Sequence, residues 1–386
     1  MPDKATVQRI DGLIERYLEI VSSDANQKNR ALWENPENWN RDMWRGIPKP
    51  GSSMPFTIAP DNSLWGKLLG VNLVDYYSDP YVYLETQLRM RIYHAGNFSD
   101  NTVFTNEIFI WFGVVTELSM FGANVVFEPN KEAWIHGCAI DGYGEIAGRE
   151  PVDFFKDGLM PRIHEFYSVF SELSRGRLRV MFPEFVRGPF CIAAHLVGYQ
   201  RAIMDAAAEP EDFSGLLRYI VDCNKAWSAE RERFLHEKTD GCKLYNDEID
   251  CPTISPRIYE DLIFPFEKEL AAHYGGVKYW HSCGNITDFL PAIARLPGLR
   301  LIHCGPWTSP AAMNRVFAGT DTKIDICLHP ENVIGVGEEK ARAVLCEIKR
   351  TMSNTTASVR ADAFMADTED FAPKIRAWSQ TAQDVL

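Results

Sequence analysis

Histidine and cysteine side chains recur in one short stretch of the chain at spacings that suit a metal ion. His281 and Cys283 are two residues apart at the end of a predicted strand, and Cys304 follows after a predicted helix and a second short strand. Imidazole nitrogen and thiolate sulfur are preferred zinc ligands, and three protein ligands would leave one coordination position open for a substrate. We therefore predict a zinc site at His281, Cys283 and Cys304. A polar substrate-binding loop is the alternative for the first two.

Polar residues also end the predicted strands on either side of this stretch. Asn246, Asp247 and Glu248 end the segment CKLYNDE, and Cys327 and His329 end the segment KIDICLHP. The carboxylates could bind a metal, bind a cationic substrate or, with a suitably adjusted pKa, donate a proton to a leaving group. A solvated turn with a helix cap is the structural alternative. His329 could contact a substrate or be solvated, and Cys327 could equally belong to the core.

The other cysteines are interpreted as structural. Cysteine in an apolar stretch usually behaves as a small hydrophobic residue, and the remaining cysteines either lie in such stretches or have no histidine at a persuasive spacing: Cys138, Cys191, Cys223, Cys242, Cys251 and Cys346. Nine cysteines spread over a long chain without a signal-peptide pattern indicate reduced thiols rather than a disulfide framework. We therefore expect a cytoplasmic protein.

Composition excludes several classes of partner. Forty Lys and Arg residues against 53 Asp and Glu give a net charge of −13, and no basic cluster stands out, so nucleic acid is not an expected partner. The sequence contains no uninterrupted apolar run of about 18 residues, so a membrane-spanning helix is not expected. A hydrophobic fraction of 46% allows a large buried core.

Strand-like and helix-like segments alternate from residue 177 onward. Such alternation favours parallel β/α units with right-handed crossovers. We predict an α/β protein with a (β/α)8 barrel of the triosephosphate isomerase type over residues 101–386, preceded by a helical and irregular extension over residues 1–100. An open doubly wound sheet is the structural alternative. Residues 24–63, rich in Asn, Pro and Trp, would form a cap or an arm against a partner subunit, so a homodimer is possible. Active sites of barrels lie at the carboxyl ends of the strands.

Three segments resemble the uroporphyrinogen decarboxylase superfamily. They are RGPFCIAAHLVGYQRAIMDAAAEPEDF, NDEIDCPTISPRIYEDLIFPFEKELAAHYGG and WHSCGNITDFLPAI, the last with that superfamily's His-x-Cys-Gly-Asn turn. TELSMFGANVVFEPN is similar to an early strand segment, and the resemblance extends from Thr116 to Phe364. It implies a β/α barrel. The superfamily contains both decarboxylases and zinc-dependent methyltransferases, so the reaction must be argued from the site.

The resemblance is closer to the methyltransferase branch. The decarboxylases carry an arginine-rich string near the N-terminus, whereas WNRDMWRGIPKPG has only Arg41 and Arg45 in an unrelated context. The methyltransferases, which serve corrinoid proteins, coenzyme M or folate-linked pathways, use a His-x-Cys pair and a cysteine on the last barrel strand. That strand, SVRADAF, lacks a cysteine here. Related cobalamin-independent methionine synthases instead have a ligand on the strand after the pair, where this chain has Cys304. Glu248 or Cys327 would be the fourth ligand.

The resemblance implies a zinc-dependent methyltransferase. It would move a methyl group between a small methylated ether, amine or thiol and either a corrinoid protein or a thiol. Zinc would act as a Lewis acid, and Asp247 or Glu248 would protonate the leaving group. Substrate-binding residues would be Tyr245, Asn246, Trp280, Trp307 and His329. A metal-free decarboxylase and a non-catalytic barrel that binds a corrinoid or a small ligand are the alternatives.

Overall fold

A computed structural model describes residues 3–36, 46–51, 53–146 and 148–386. The strands of these residues are β1 Trp33–Glu34, β2 Ile47–Pro48, β3 Phe56–Pro60, β4 Glu107–Phe109, β5 Val125–Glu128, β6 Lys131–Ile135, β7 Arg179–Met181, β8 Cys242–Tyr245, β9 Val277–His281, β10 Leu301–Cys304, β11 Lys323–Leu328 and β12 Ala357–Phe364. None of the described helices is both long enough and apolar enough to cross a lipid bilayer.

The helices of the same residues are α1 Lys4–Ser22, α2 Asp24–Arg30, α3 Asn62–Leu69, α4 Leu73–Ser78, α5 Pro80–Asn97, α6 Val115–Met120, α7 Met160–Ser174, α8 Pro189–Val197, α9 Tyr199–Ala208, α10 Pro210–Leu235, α11 Pro256–Ile258, α12 Phe264–Tyr274, α13 Leu290–Ile293, α14 Pro310–Phe317, α15 Glu338–Thr351 and α16 Phe371–Val385. Short 3-10 turns lie at Tyr143–Glu145, Thr287–Phe289 and Pro330–Asn332, and a π-helical turn at Tyr259–Ile263 joins α11 to α12.

A parallel sheet forms the centre of the molecule. Six strands pair in the order β3-β12-β11-β10-β9-β8, and β4 pairs in parallel with β7. A parallel bridge between Arg187 and Tyr245 joins the chain after β7 to β8. The prediction of a mixed α/β fold with a parallel sheet is therefore confirmed. No strand pairing between β3 and β4 is found among the described residues, so the closed barrel stays a prediction.

The first hundred residues contribute to this sheet. The strand β3 lies within them and pairs with β12, with Ile58 opposite Ala361. The stretch over residues 24–63, predicted to be irregular, also contains the helix α2, whose N-cap Ser23 accepts a hydrogen bond from the backbone N–H of Asn26. The expectation of irregular backbone was wrong at these places. Arg41 and Arg45 lie outside the described residues.

The two faces of the strands are buried against different partners. Side chains alternate across a strand, and Tyr245, Tyr279 and Leu301 form a small apolar cluster on one face. Their neighbours Trp280 and Cys304 belong instead to the main core shared with the helices. Each strand residue therefore faces either the small interior cluster or the helix layer.

A buried carboxyl group fixes the helix layer to the strands that carry the site. Glu267 of α12 is fully buried and accepts hydrogen bonds from Trp280 Nε1 at 3.0 Å, Tyr259 Oη at 2.7 Å and Asn246 Nδ2 at 2.8 Å. Burial raises the pKa of Glu267 to about 7, and these three hydrogen bonds oppose that shift. Asn246 and Trp280 directly precede residues predicted to act in the site, so Glu267 sets their backbone position.

We predict that Glu267 makes stability depend on pH. Its pKa in the folded protein lies above that of the unfolded chain, so the folded state binds more protons between about pH 4.5 and pH 7, and the free energy of unfolding falls as pH rises through this range. Glu267→Gln cannot titrate. The stability of the wild type relative to this variant should decrease by about 3 kcal/mol across the range.

Urea unfolding of both proteins at several pH values measures this difference. Titration of all other groups is common to the two proteins and cancels. A difference that stays constant from pH 4.5 to pH 7.5 would show that folding does not raise the pKa of Glu267.

Candidate metal centre

The strands β8 and β9 bring their carboxyl ends together at one edge of the sheet. Tyr245 is in register with His281, and the backbone N–H of Asn246 donates to the His281 carbonyl oxygen at 2.7 Å. Because the strands are parallel neighbours, the residues that follow them converge. Asp247 thereby comes to the same place as His281 and Cys283.

Three potential ligands meet at this edge. One donor atom from each of Asp247, His281 and Cys283 lies within 4.8 Å of the others. His281 Nε2 is 3.0 Å from Asp247 Oδ1 and 3.3 Å from Cys283 Sγ. Carboxylate, imidazole and thiolate all bind zinc, and three ligands leave a coordination position open.

Neighbouring side chains fix the orientation of the His281 ring. Its Nδ1 lies 3.2 Å from the hydroxyl of Tyr279, which also donates to Asp325 Oδ2 at 2.9 Å. Asp325 in turn forms an ion pair with Arg360 at 3.1 Å. His303 stacks on the His281 ring with a centroid distance of 4.0 Å. The hydrogen bond at Nδ1 directs Nε2 toward Asp247 and Cys283. Metal-binding histidines are usually oriented by such a hydrogen bond at the other ring nitrogen.

The charges of the group favour a bound cation. Burial alone would raise the pKa of Asp247, but Arg187, 2.9 Å from Oδ2, and His281 hold it well below its usual range. Asp247 is therefore a carboxylate and not a proton donor at neutral pH. Its Oδ1 is buried and lies 3.0 Å from His281 Nε2. Although Cys283 has an exposed surface, desolvation by its surroundings, followed by the nearby Asp247, raises the pKa of its thiol well above the ordinary value. A buried carboxylate oxygen beside an imidazole nitrogen and a thiol fits a group of metal ligands.

Cys304 is not part of this group. Its side chain is buried in the core shared with the helices, and Sγ points to the backbone oxygen of Thr308 at 3.7 Å. The preceding residue, His303, occupies the face that His281 shares. Since side chains alternate along a strand, the prediction placed Cys304 on the wrong face. Asp247 takes the position that the sequence prediction gave to Cys304.

Two predicted substrate-binding residues face the helix layer. Trp280 and Asn246 are fully buried and both donate hydrogen bonds to Glu267. Gly188 explains the position of Asn246, since a Cβ at residue 188 would lie 1.7 Å from Asn246 Oδ1. These two side chains support the site from the helix side and do not line it.

The other predicted substrate-binding residues lie nearer the edge of the sheet. The Tyr245 ring is 5.1 Å from the His281 ring. Trp307, which is 67% exposed, packs against the half-buried His329 with ring centroids 5.9 Å apart. Of the two suggested fourth ligands, Cys327 is close enough to raise the pKa of the Cys283 thiol. Glu248 belongs to a different group.

Glu248 lies in a second group that the sequence interpretation missed. One donor atom from each of Cys191, His195 and Glu248 lies within 4.8 Å of the others. Arg187 connects the two groups, because its Nη1 is 2.9 Å from both Asp247 Oδ2 and Cys191 Sγ. Cys191 was interpreted as a core residue and is indeed fully buried. The spacing of Cys191 and His195, four residues apart on a predicted helix, was the available signal.

A cavity of about 270 Å³ opens at the carboxyl ends of β3 and β12. Its polar walls are the carboxyl groups of Asp61, Glu132 and Asp362, and its aromatic walls are Trp111 and Trp134. Burial, followed by the charge of Asp61, raises the pKa of Glu132 to about 7. None of the residues that line the cavity is a lysine, arginine or histidine, although Asp362 is bonded to Arg360 outside it.

This cavity is joined to the candidate metal centre by a series of contacts. The Trp134 ring lies 5.5 Å from the His195 ring, and His195 contacts Glu248 at 2.6 Å. Glu248 is 3.9 Å from Arg187, which binds Asp247. These side-chain contacts therefore link the cavity to both groups of potential metal ligands.

Comparison with known proteins supports the fold. No protein-family model and no curated protein sequence matches the chain. Among solved structures, the chain is similar to a methyltransferase from Methanosarcina mazei with a TM-score of 0.63 and 13% sequence identity, over 87% of this chain and 95% of that one. At this identity the likeness shows a shared architecture. The resemblance to the uroporphyrinogen decarboxylase superfamily stays a prediction.

The turn that carries Cys283 should tolerate no side chain at Gly284. A Cβ at this residue would lie 2.7 Å from both Cβ and Oδ1 of Asp250, which accepts the backbone N–H of Asn285. We predict that Gly284→Ala lowers the free energy of unfolding by about 1–3 kcal/mol, the usual cost of overpacking. Urea unfolding at pH 7 measures the change.

Gly215→Ala is the matched control, because Gly215 lies within α10 and a Cβ there meets nothing within 4 Å. Alanine in a helix interior is favourable, so this variant should be as stable as the wild type or more stable. Equal stability of the Gly284→Ala protein and the wild type would contradict the close packing of the turn.

Proposed function

We propose that the protein is a zinc-dependent methyltransferase whose metal ligands are Asp247, His281 and Cys283. The observation that carries the proposal is the convergence of these three donors at the carboxyl edge of the parallel sheet. The buried Oδ1 of Asp247, 3.0 Å from His281 Nε2, and the hydrogen-bonded Nδ1 of His281 support it. We also propose that the parallel strands close into a (β/α)8 barrel, in which such an edge is the usual place of catalysis.

We propose a thiol as the methyl acceptor. A bound zinc ion would supply Lewis acidity that lowers the pKa of a thiol, which otherwise is mostly protonated at neutral pH. Tyr279 and His303 hold the imidazole of His281 in place, and Arg187 holds the Asp247 carboxylate. A corrinoid carried by a partner protein is the other acceptor considered.

We propose a cationic methylated amine as the methyl donor. Carboxylates and indole faces together favour a methylammonium group, through charge attraction and through cation–π contact. The cavity of Asp61, Glu132, Trp111 and Trp134 offers both. A bound cation would also favour the ionised form of Glu132, whose pKa burial holds near 7.

A quaternary ammonium donor removes the need for a catalytic acid. When the C–N bond breaks, its electron pair stays on nitrogen and a neutral tertiary amine leaves, while the acceptor sulfur forms the new C–S bond. No proton is required by the leaving group. This agrees with the ionised state of Asp247, which cannot protonate one.

Substitution of one proposed ligand should remove zinc and activity, whereas substitution of a nearby cysteine outside the ligand set should not. We predict that Cys283→Ser loses one zinc ion per chain and reduces methyl transfer by at least about 100-fold, since a ligand matters more than the surrounding hydrogen bonds, whose loss costs 10–100-fold. Cys304→Ser should keep both zinc and activity, because Cys304 packs on the helix side.

Metal analysis of purified protein and a methyl-transfer assay with thiol or corrinoid-protein acceptors measure these effects. Full activity in a zinc-free protein would end the zinc proposal. Loss of zinc in Cys304→Ser as well as in Cys283→Ser would restore the ligand set predicted from sequence.

Charge, rather than shape, should decide binding in the cavity. Choline and 3,3-dimethyl-1-butanol have nearly the same shape, but only choline is a cation. We predict that choline binds at least about 10-fold more tightly, the size of a desolvated cation–π contact, and that Trp134→Leu removes most of this preference. Isothermal titration calorimetry measures both affinities.

Trp307→Leu provides the control, since Trp307 is an exposed tryptophan that does not line the cavity. This variant should keep the preference for choline. Equal binding of the two compounds by the wild type would exclude a cationic donor at this place and leave the zinc proposal untouched.

A further inference from the structure

The group of Cys191, His195 and Glu248 is built from two rigid elements. Cys191 and His195 are four residues apart on α8, so they lie on the same side of the helix one turn apart. Glu248 follows β8 and reaches the same point from the sheet. Pairs of ligands at this helical spacing are a common way to bind zinc.

The contacts within the group centre on the Glu248 carboxylate. One oxygen, Oε1, lies 2.6 Å from His195 Nε2, and the other accepts the thiol of Cys191. Cys191 is fully buried, while the side chains of His195 and Glu248 are 15% and 14% exposed. The group is therefore closed on the Cys191 side and reachable by solvent on the other, as a three-ligand site with one open position requires.

Burial raises the pKa of Cys191 well above its ordinary value, and Arg187 opposes that shift. Its Nη1 lies 2.9 Å from Cys191 Sγ, and hydrogen bonds from a guanidinium are charge-assisted. Asp247 fixes the same guanidinium at 2.9 Å. The ligand groups are thus held by a side chain outside the set, as in established metal sites.

We propose that Cys191, His195 and Glu248 form a second metal site for a thiophilic divalent cation such as Zn²⁺. Thiolate with imidazole and carboxylate suits zinc, whereas magnesium and calcium prefer oxygen ligands alone. On binding, the Cys191 proton passes to solvent and the sulfur bonds to the metal, so the metal replaces the thiol proton that Glu248 accepts. Cys191 and His195 have no part in the proposed methyltransferase site, so the two proposals can fail separately.

The zinc content of the protein tests this site. Purified protein saturated with Zn²⁺ and dialysed should hold two zinc ions per chain. Cys191→Ser and His195→Gln should each hold one, and Cys283→Ser should hold one through the loss of the other site. Cys223→Ser, a change at a cysteine that is also fully buried, should still hold two.

Cobalt gives a second measurement that does not depend on activity. Each site has one thiolate, so titration of the metal-free wild type with Co²⁺ should develop the sulfur-to-cobalt charge-transfer absorption over two equivalents. The His195→Gln protein keeps the buried cysteine and should lose the second equivalent. Circular dichroism confirms that each variant is folded.

The outcomes separate the two sites. Loss of one zinc in Cys191→Ser and His195→Gln supports the second site, even if Cys283→Ser changes nothing and the proposed function is thereby lost. A wild type that binds a single zinc ion, removed by Cys283→Ser and retained in Cys191→Ser and His195→Gln, overturns it. A wild type that binds none overturns both.

Discussion

The buried guanidinium of Arg187 is the charge on which the candidate site depends. It is almost fully buried and lies between Asp247 and Cys191, 2.9 Å from each. The Asp247 carboxylate could not stay ionised in a buried place without such a cation, because removal of an unpaired charge from water is costly. Arg187 itself is held by the parallel bridge to Tyr245. The backbone pairing of the sheet therefore fixes the position of the Arg187 guanidinium beside the Asp247 carboxylate.

The alternation of side chains between the two faces of the sheet is a second constraint on this edge, because it decides which residues can face His281. His303 and Cys304 are both plausible ligands by type, but only one can face His281. The structure assigns the inner face to His303, which stacks on His281, and the helix side to Cys304. The same alternation puts Trp280 against Glu267. A strand of four residues that is buried on both faces carries mostly apolar side chains on each face. Its sequence therefore does not show which alternate residues face His281 and which face the helices.

Local features were predictable because their causes are local. The strand and turn that carry His281 and Cys283 lie within seven residues, and Asp79 and Pro80 mark the start of α5 through capping that needs no tertiary contact. The alternation of helices and strands after residue 177 was readable for the same reason. By contrast, β3 is more than three quarters of the chain away from its partner β12, so its place in the sheet had no local signal.

The group of Cys191, His195 and Glu248 was missed because it also depends on contacts between residues that are distant in the sequence. Cys191 and His195 reach Glu248 only because α8 packs beside the end of β8, a contact between residues more than fifty positions apart. Their spacing on the helix was visible, but an apolar helix with one cysteine is usually core, and Cys191 is buried as the core interpretation requires. Burial and ligation are compatible here because the thiol has a polar partner on each side, Arg187 and Glu248.

The ionised state of Asp247 connects the chemistry to the substrate. A carboxylate held by Arg187 and His281 is a good ligand and a poor acid, so a reaction at this edge must not rely on it for a proton. When a methylated ether or a neutral methylated amine loses its methyl group, the leaving group is a strong base that needs a proton. A quaternary ammonium donor instead releases a neutral amine, which needs none. The carboxylates and indoles of the neighbouring cavity suit that same cation. The charge of Asp247 and the lining of the cavity therefore both favour the class of methyl donor that we propose.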